Sequence, residues 1–145
     1  MSVSVDHELM VLHLIRWLDE KEAPFHPQTL STECSLYSKI KTSPPIINGH
    51  RPDLFALSKA SDSLCLIGEA KTTKDLETYR TEFQLRSFMR YLMEVGQGYL
   101  VLGVAWNSTL SAQSLLRKII TYEGATDITP LVIDCSPTLA RSNLR

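Results

Sequence analysis

Two short apolar runs, Leu54–Leu57 (LFAL) and Leu64–Ile67 (LCLI), are separated by the polar segment Lys59–Asp62 (KASD). Apolar runs of this length, bounded by turn residues, are buried as strands, and so short a polar link joins them as a hairpin. Charges stand at the outer ends of both runs. Pro52-Asp53 opens the first, and Glu69-Ala70-Lys71 closes the second. Carboxylates at the ends of core strands are costly unless they are paired or bind metal. This conflict between apolar pattern and charge marks where a functional site belongs.

Strand alternation places Glu69 and Lys71 on one face and Ala70 on the other. Closing the hairpin brings Asp53, at the start of its first strand, near Glu69 and Lys71, at the end of its second. Two carboxylates suit a hard cation such as Mg²⁺, which keeps several waters and takes only one or two protein carboxylates. A lysine beside it can hold or help deprotonate an attacking water and offset charge developing on a phosphate. The competing structural reading is a surface hairpin. There Asp53 caps a turn, and Glu69 and Lys71 form an exposed ion pair that contributes little.

The flanking segments supply the rest of the order. Val5–Lys21 carries Leu9, Leu12, Ile15 and Leu18 at helical spacing, with Ser4 or Asp6 as N-cap, and the prolines of Ala23–Pro27 end it. Ser35–Lys41 alternates and reads as a half-buried strand before the Ser43-Pro44-Pro45 break. After the hairpin, Leu76–Val95 reads as a long helix closed by Gly96. Tyr99–Ala105 is a fully apolar strand that belongs inside a sheet. Ser111–Glu123 is an amphipathic helix closed by Gly124, Leu131–Asp134 a last strand, and the tail from Ser136 reads as frayed. The order helix, three strands, helix, strand, helix, strand fits an α/β fold with a mixed central sheet flanked by helices.

Asp53, Glu69 and Lys71, with Pro52 before the aspartate, resemble the signature of the PD-(D/E)XK nuclease superfamily. Its members include restriction endonucleases, Holliday-junction resolvases and RecB-like nuclease domains. The resemblance covers roughly residues 5–105 and implies a restriction-endonuclease-like αβββαβ core. It implies that Asp53 and Glu69 hold Mg²⁺, for which Mn²⁺ can substitute, that the backbone carbonyl of Ala70 joins them, and that Lys71 positions the nucleophilic water. Glu8 resembles the acidic residue that resolvase-like and RecB-like members carry on their first helix; otherwise it simply complements the helix dipole. Gln84 matches the glutamine of a RecB-like Gln-x-x-x-Tyr motif, although this chain has Phe88 at the tyrosine position. The implied activity is Mg²⁺-dependent endonucleolytic hydrolysis of DNA, with a structure-specific resolvase or repair-type nuclease as the runner-up to a sequence-specific restriction enzyme. The alternative is a non-catalytic nuclease fold that binds nucleic acid or a partner protein.

Charge bounds how such a domain would hold DNA. Lys39 and Lys41 share the face of their expected strand with Tyr37, and His50 and Arg51 precede Asp53. Lys74, Arg80, Arg86 and Arg90 follow the signature. Lys39, Lys41, Arg51 and Lys74 are the expected phosphate contacts, which position nucleic acid without reading its sequence. Yet the net charge is −1 and the pI about 6.4, low for a tight autonomous duplex binder. Weak affinity, a recruiting protein partner or a homodimer that focuses charge would each answer this. Tyr79, Phe83 and Met93 form a second apolar stripe on the long helix that packs in the monomer or in such a dimer. Trp106 reads as packing. The histidines show no zinc-like spacing.

The 145 residues, 43% apolar and 21% charged, suffice for one domain spanning 1–145 with its own core. Three cysteines without CxxC pairing read as reduced thiols of a cytoplasmic protein. No apolar run approaches the roughly 20 residues of a membrane span, and no N-terminal signal pattern is present.

Overall fold

The computed structural model describes residues 5–20, 23–37, 39, 42–59 and 64–135. The chain begins with α1 (Val5–Leu18), β1 (Pro27–Thr32), β2 (Leu54–Ser58) and β3 (Leu64–Ala70). It continues through α2 (Thr73–Leu76), α3 (Tyr79–Val95), β4 (Gln97–Val104), α4 (Thr109–Glu123) and β5 (Ile128–Asp134). The five strands form one mixed sheet in the order β1-β2-β3-β4-β5. The hairpin expected from the two apolar runs is β2–β3, antiparallel, with Leu54 opposite Gly68 and Phe55 opposite Ile67. β3, β4 and β5 run parallel, β3 joined to β4 through α2 and α3 and β4 to β5 through α4.

Period-two alternation in β3 divides the core between the two faces of the sheet. Leu66 and Ala70 face α1, where they pack with Leu14, Ile15, Leu18, Leu54, Ala56 and Val101. Cys65 and Ile67 face the helices α3 and α4, against Leu85, Phe88, Leu92, Leu116 and Ile119. Each such fully buried leucine, isoleucine or phenylalanine contributes roughly 1.5–3 kcal/mol. α1 lies close on the sheet because Gly103 has no side chain: a Cβ there would stand 3.0 Å from Leu14 Cγ and 2.9 Å from Cys135 Sγ. On the other face, α3 and α4 are joined at their surfaces. Arg90 forms two 2.9 Å bonds to Glu123, Lys118 reaches Glu82, and the Arg86 guanidinium lies 4.0 Å over the Tyr122 ring.

Three expectations change. The first strand is Pro27–Thr32, not Ser35–Lys41: Ser35 and Leu36 form a turn, Lys39 lies in a bend, and Ser38, Ile40 and Lys41 fall outside the described residues. PQTLST is an edge strand whose proline stands at its first residue, where no ladder hydrogen bond is lost. Of its residues only Thr32 is buried, so no apolar alternation betrays it. The long helix is broken. Thr72 caps α2 by accepting the Asp75 N–H, and Thr78 caps α3 by accepting the Thr81 N–H. α1 ends at Leu18, and Asp6 lies within it rather than capping it, while Ser4 falls outside the described residues. Closure of α3 by Gly96 and of α4 by Gly124 is as expected, with Gly124 left-handed at φ 68°. The tail from Ser136 lies outside the described residues. Among those residues no helix is long and apolar enough to cross a membrane.

Candidate active site

The register of the hairpin determines what meets at the open end of the sheet. Leu54 opposes Gly68, so Asp53, one residue earlier, comes beside Glu69. The Asp53 N–H donates to Glu69 Oε1 at 2.7 Å, and the Ala70 N–H donates to Asp53 Oδ2 at 2.9 Å. Each carboxylate thus takes a backbone donor from the other strand. Lys71 Nζ stands 3.4 Å from Glu69 Oε2 and donates to Gln84 Oε1 at 2.7 Å, which ties the end of β3 to α3. Asp53, Glu69, Ala70, Lys71 and Gln84 therefore form one connected group.

Glu69 is the most constrained member, at 2% exposure. Burial, reinforced by the Asp53 charge, pushes its carboxyl up to about 8 against the opposing pull of Lys71. Asp53 is more open, its side chain 19% exposed. The site accordingly pairs one buried carboxyl that favours its proton with one accessible carboxylate, a lysine between β3 and α3, and a neutral amide.

Glu8 lines the same cavity as Asp53, of about 240 Å³, together with His7, Glu33, Cys34 and Arg51. Its carboxylate, however, accepts the Ser35 N–H at 3.0 Å rather than reaching Asp53. The α1 side chain that does reach Asp53 is His7, with Nε2 3.2 Å from Oδ2. That bond, and then the charges of Asp53, Glu69 and Glu8, raise His7 above its ordinary value against the effect of its burial. The spacing that excludes a zinc site conceals this contact. The signal in the sequence was position, because His7 precedes Glu8 in the helical turn expected to approach the site. Thr32 was also hidden: buried at the end of β1, its hydroxyl donates to Asp53 O at 2.8 Å and accepts the Cys34 N–H. It fixes the backbone from which Asp53 projects.

The expected phosphate contacts are not assembled into one patch. Arg51 donates to Glu33 at 3.0 Å, Lys39 is exposed in its bend, and Lys41 lies outside the described residues. Arg86 and Arg90 are held in the ion pairs of α3 with Glu82 and Glu123. Lys74 and Arg80 are exposed, and no ion pair among the described residues engages either. Arg80 lines a second cleft, of about 340 Å³, with Lys71, Asp75, Thr78, Thr81 and Gln84. Trp106, expected in packing, is 68% exposed, and Tyr79 and Phe83 of the second stripe are 92% and 59% exposed.

All three cysteines are buried and none is disulfide-bonded. Burial pushes Cys34 up to about 11 and Cys65 and Cys135 up to about 12, so none is a reactive thiolate at neutral pH. Among the described residues no group of three or more His, Cys, Asp or Glu side chains is arranged to hold a metal ion. No family model, curated protein or solved structure matches the chain.

Proposed function

We propose that this chain is a PD-(D/E)XK-type nuclease with a restriction-endonuclease-like core, hydrolysing nucleic-acid phosphodiesters with Mg²⁺ or Mn²⁺. The observation that carries the reading is the convergence of Asp53, Glu69 and Lys71 at one end of the sheet, through the 2.7 Å Asp53–Glu69 bond and the 3.4 Å Lys71–Glu69 pair. The donor set fits a hard cation. It offers carboxylate oxygens in the small number Mg²⁺ takes when waters and substrate phosphate complete its shell. It also holds a buried carboxyl whose charged form is disfavoured until positive charge arrives. Asp53 and Glu69 would hold the cation, with the Ala70 carbonyl beside them and Glu8 in the adjoining cavity.

When bound, the cation supplies Lewis-acid polarisation of the phosphate and a more acidic water. The remaining work belongs to side chains. Gln84 holds the Lys71 ammonium in place, and Lys71 orients the attacking water and offsets charge on the phosphate. His7 and the Ala70 N–H fix one oxygen of Asp53, leaving Oδ1 to turn toward the ligand. The water oxygen bonds to phosphorus and gives its proton to solvent, while the leaving oxygen departs with the bonding pair and takes a proton from solvent.

One observation favours a second reading, a non-catalytic module. Asp53 Oδ2 and both oxygens of Glu69 already take protein donors. One experiment separates the two. Duplex, junction, flap and single-stranded DNA, and RNA, are incubated with the protein in Mg²⁺ and in EDTA. Cleavage that needs Mg²⁺ and disappears in Lys71→Ala is expected. Binding without metal-dependent cleavage of any substrate gives the second reading, and cleavage undiminished in EDTA removes the metal mechanism.

A further inference from the structure

Tyr79 and Phe83 stand one turn apart on α3, 92% and 59% exposed, on the helix that carries Gln84 to Lys71. Large aromatic rings in water at the rim of a site call for an occupant. Their place is fixed from two sides. Phe83 is the neighbour of Gln84, and its ring lies 6.1 Å from that of His50, edge-on, just before Pro52-Asp53. Phe83 therefore lies between the chain leading to Asp53 and the residue that holds Lys71, with Tyr79 one turn before it on α3.

Two further observations select the occupant. Arg80 follows Tyr79 on α3 and Lys74 lies on the preceding α2, both exposed and outside every ion pair of the described residues, whereas Arg51, Arg86, Arg90 and Lys118 are all paired with carboxylates. The apolar stripe is also short. Arg86 and Arg90 interrupt the helix surface between Phe83 and Met93, leaving too little continuous apolar area for a stable dimer face of about 800 Å² per partner. Planar rings interleaved with available cations are how proteins hold unpaired bases: the rings stack on bases and the cations meet phosphates. A continuous duplex offers no base faces, and a chain of net charge −1 offers it little electrostatic hold. Asp75, which lines the cleft, and Glu77 beside it oppose a long run of phosphates over α2, so the strand enters along α3 and meets α2 only at Lys74.

We infer that Tyr79 and Phe83 form a stacking platform for single-stranded nucleic acid, which Arg80 and Lys74 hold by its phosphates and deliver to Lys71. The substrate is then a single strand, or the unpaired arm of a junction or flap. The inference rests on the nuclease reading for the cleavage step, but the binding itself is measured without turnover.

The test is fluorescence anisotropy in Ca²⁺ with labelled oligothymidylate of about twelve nucleotides, within the ~4–16 nucleotides that such surfaces span. A duplex of equal length is the comparison. The wild-type protein should bind the single strand at least tenfold more tightly than the duplex. Tyr79→Ala with Phe83→Ala should weaken the single strand by about tenfold or more per ring and leave the duplex unchanged. Tyr79→Phe with Phe83→Tyr should restore binding, which a merely structural loss would not allow. Equal affinity of the double alanine variant and wild type for oligothymidylate would overturn the inference. So would a duplex that binds as tightly as the strand, or a variant that only converts a dimer to monomer, which would make the face a self-interface. If the rings govern binding yet no substrate is cleaved in Mg²⁺, the nuclease reading fails and the platform stands. Cleavage of duplex unaffected by the ring substitutions removes the platform and leaves the nuclease reading in place.

Discussion

Glu69 decides the behaviour of the site at the level of single residues. In the unfolded chain its carboxyl titrates near 4.5, whereas burial and Asp53 hold it up to about 8 in the fold. Between those values the folded protein keeps a proton that the unfolded chain has released. Stability from this group is therefore full below about pH 4.5 and is lost as pH rises through about 8 in the absence of metal. Urea denaturation in EDTA should show stability falling from pH 5 to pH 8, and Glu69→Gln should flatten that fall. A Gln variant with the same slope would place the titration elsewhere. Lys71→Ala should abolish cleavage while the unfolding midpoint and metal binding change little. It removes a donor to Gln84 and the ammonium beside Glu69, without emptying the core. Asp53, Glu69 and Lys71 were legible as a group because their types and spacing conflicted with the apolar pattern, and Gln84 only through its partial match to a known motif. His7 and Thr32 were not, because nothing local distinguishes a histidine or threonine that touches a carboxylate from one that does not.

Elements hold those residues in place, and the tightest constraint lies away from the site. Gly103 lets Leu14 of α1 sit directly on β4, and α1 in turn delivers His7 to Asp53. Gly103→Ala would drive a methyl into Leu14 and Cys135, and should destabilise by about 1–3 kcal/mol, as overpacked cores do. Denaturant unfolding measures this, and an unchanged midpoint would mean that α1 can shift without cost. Thr78 offers a second test. Its side chain caps α3, so Thr78→Ala should cost about 1 kcal/mol, and α3 carries Gln84 as well as the ring pair. The β2–β3 hairpin, β4 and α4 were readable from periodicity and from glycine stops. β1 was not, because an edge strand needs no apolar alternation. The break at Thr78 was obscured by Leu76 and Phe83, which continue the helical spacing across it.

On the proposed nuclease reading, the whole molecule sets how metal and nucleic acid would act together. A cation that binds only the folded state raises stability with its concentration. Because it must displace the Glu69 proton, its affinity should rise with pH toward about 8. Thermal unfolding in millimolar Mg²⁺ should therefore show an upward shift that grows from pH 6 to pH 8 and vanishes in Glu69→Gln. A shift equal at both pH values would separate the cation from that carboxyl. With only Arg80 and Lys74 proposed to hold the strand, few phosphates would be neutralised. The plot of log affinity against log salt for a single strand should be shallow, with a slope near −1.4 for two contacts at about −0.7 each. Changing both residues to Ala should bring it toward zero, whereas an unchanged slope would put the strand on another face.

Sequence alone determined the antiparallel hairpin with its charged ends, the helix–strand alternation after it apart from the break between α2 and α3, the interior character of β4 and the group Asp53–Glu69–Lys71. These follow from short-range periodicity and from the cost of placing charge in apolar strands, which are written in neighbouring residues. Only the tertiary structure decided that His7 rather than Glu8 touches Asp53, since that depends on how closely α1 approaches the sheet at Gly103. It also decided which cations are available. Arg90 looks as basic as Arg80 in the sequence, but packing of α4 on α3 brings Glu123 to it alone, whereas Arg86 is paired by Glu82 of its own helix. The same packing left Tyr79 and Phe83 in water, because a helix buries the face its neighbours cover, and the pattern of one helix does not say where those neighbours lie.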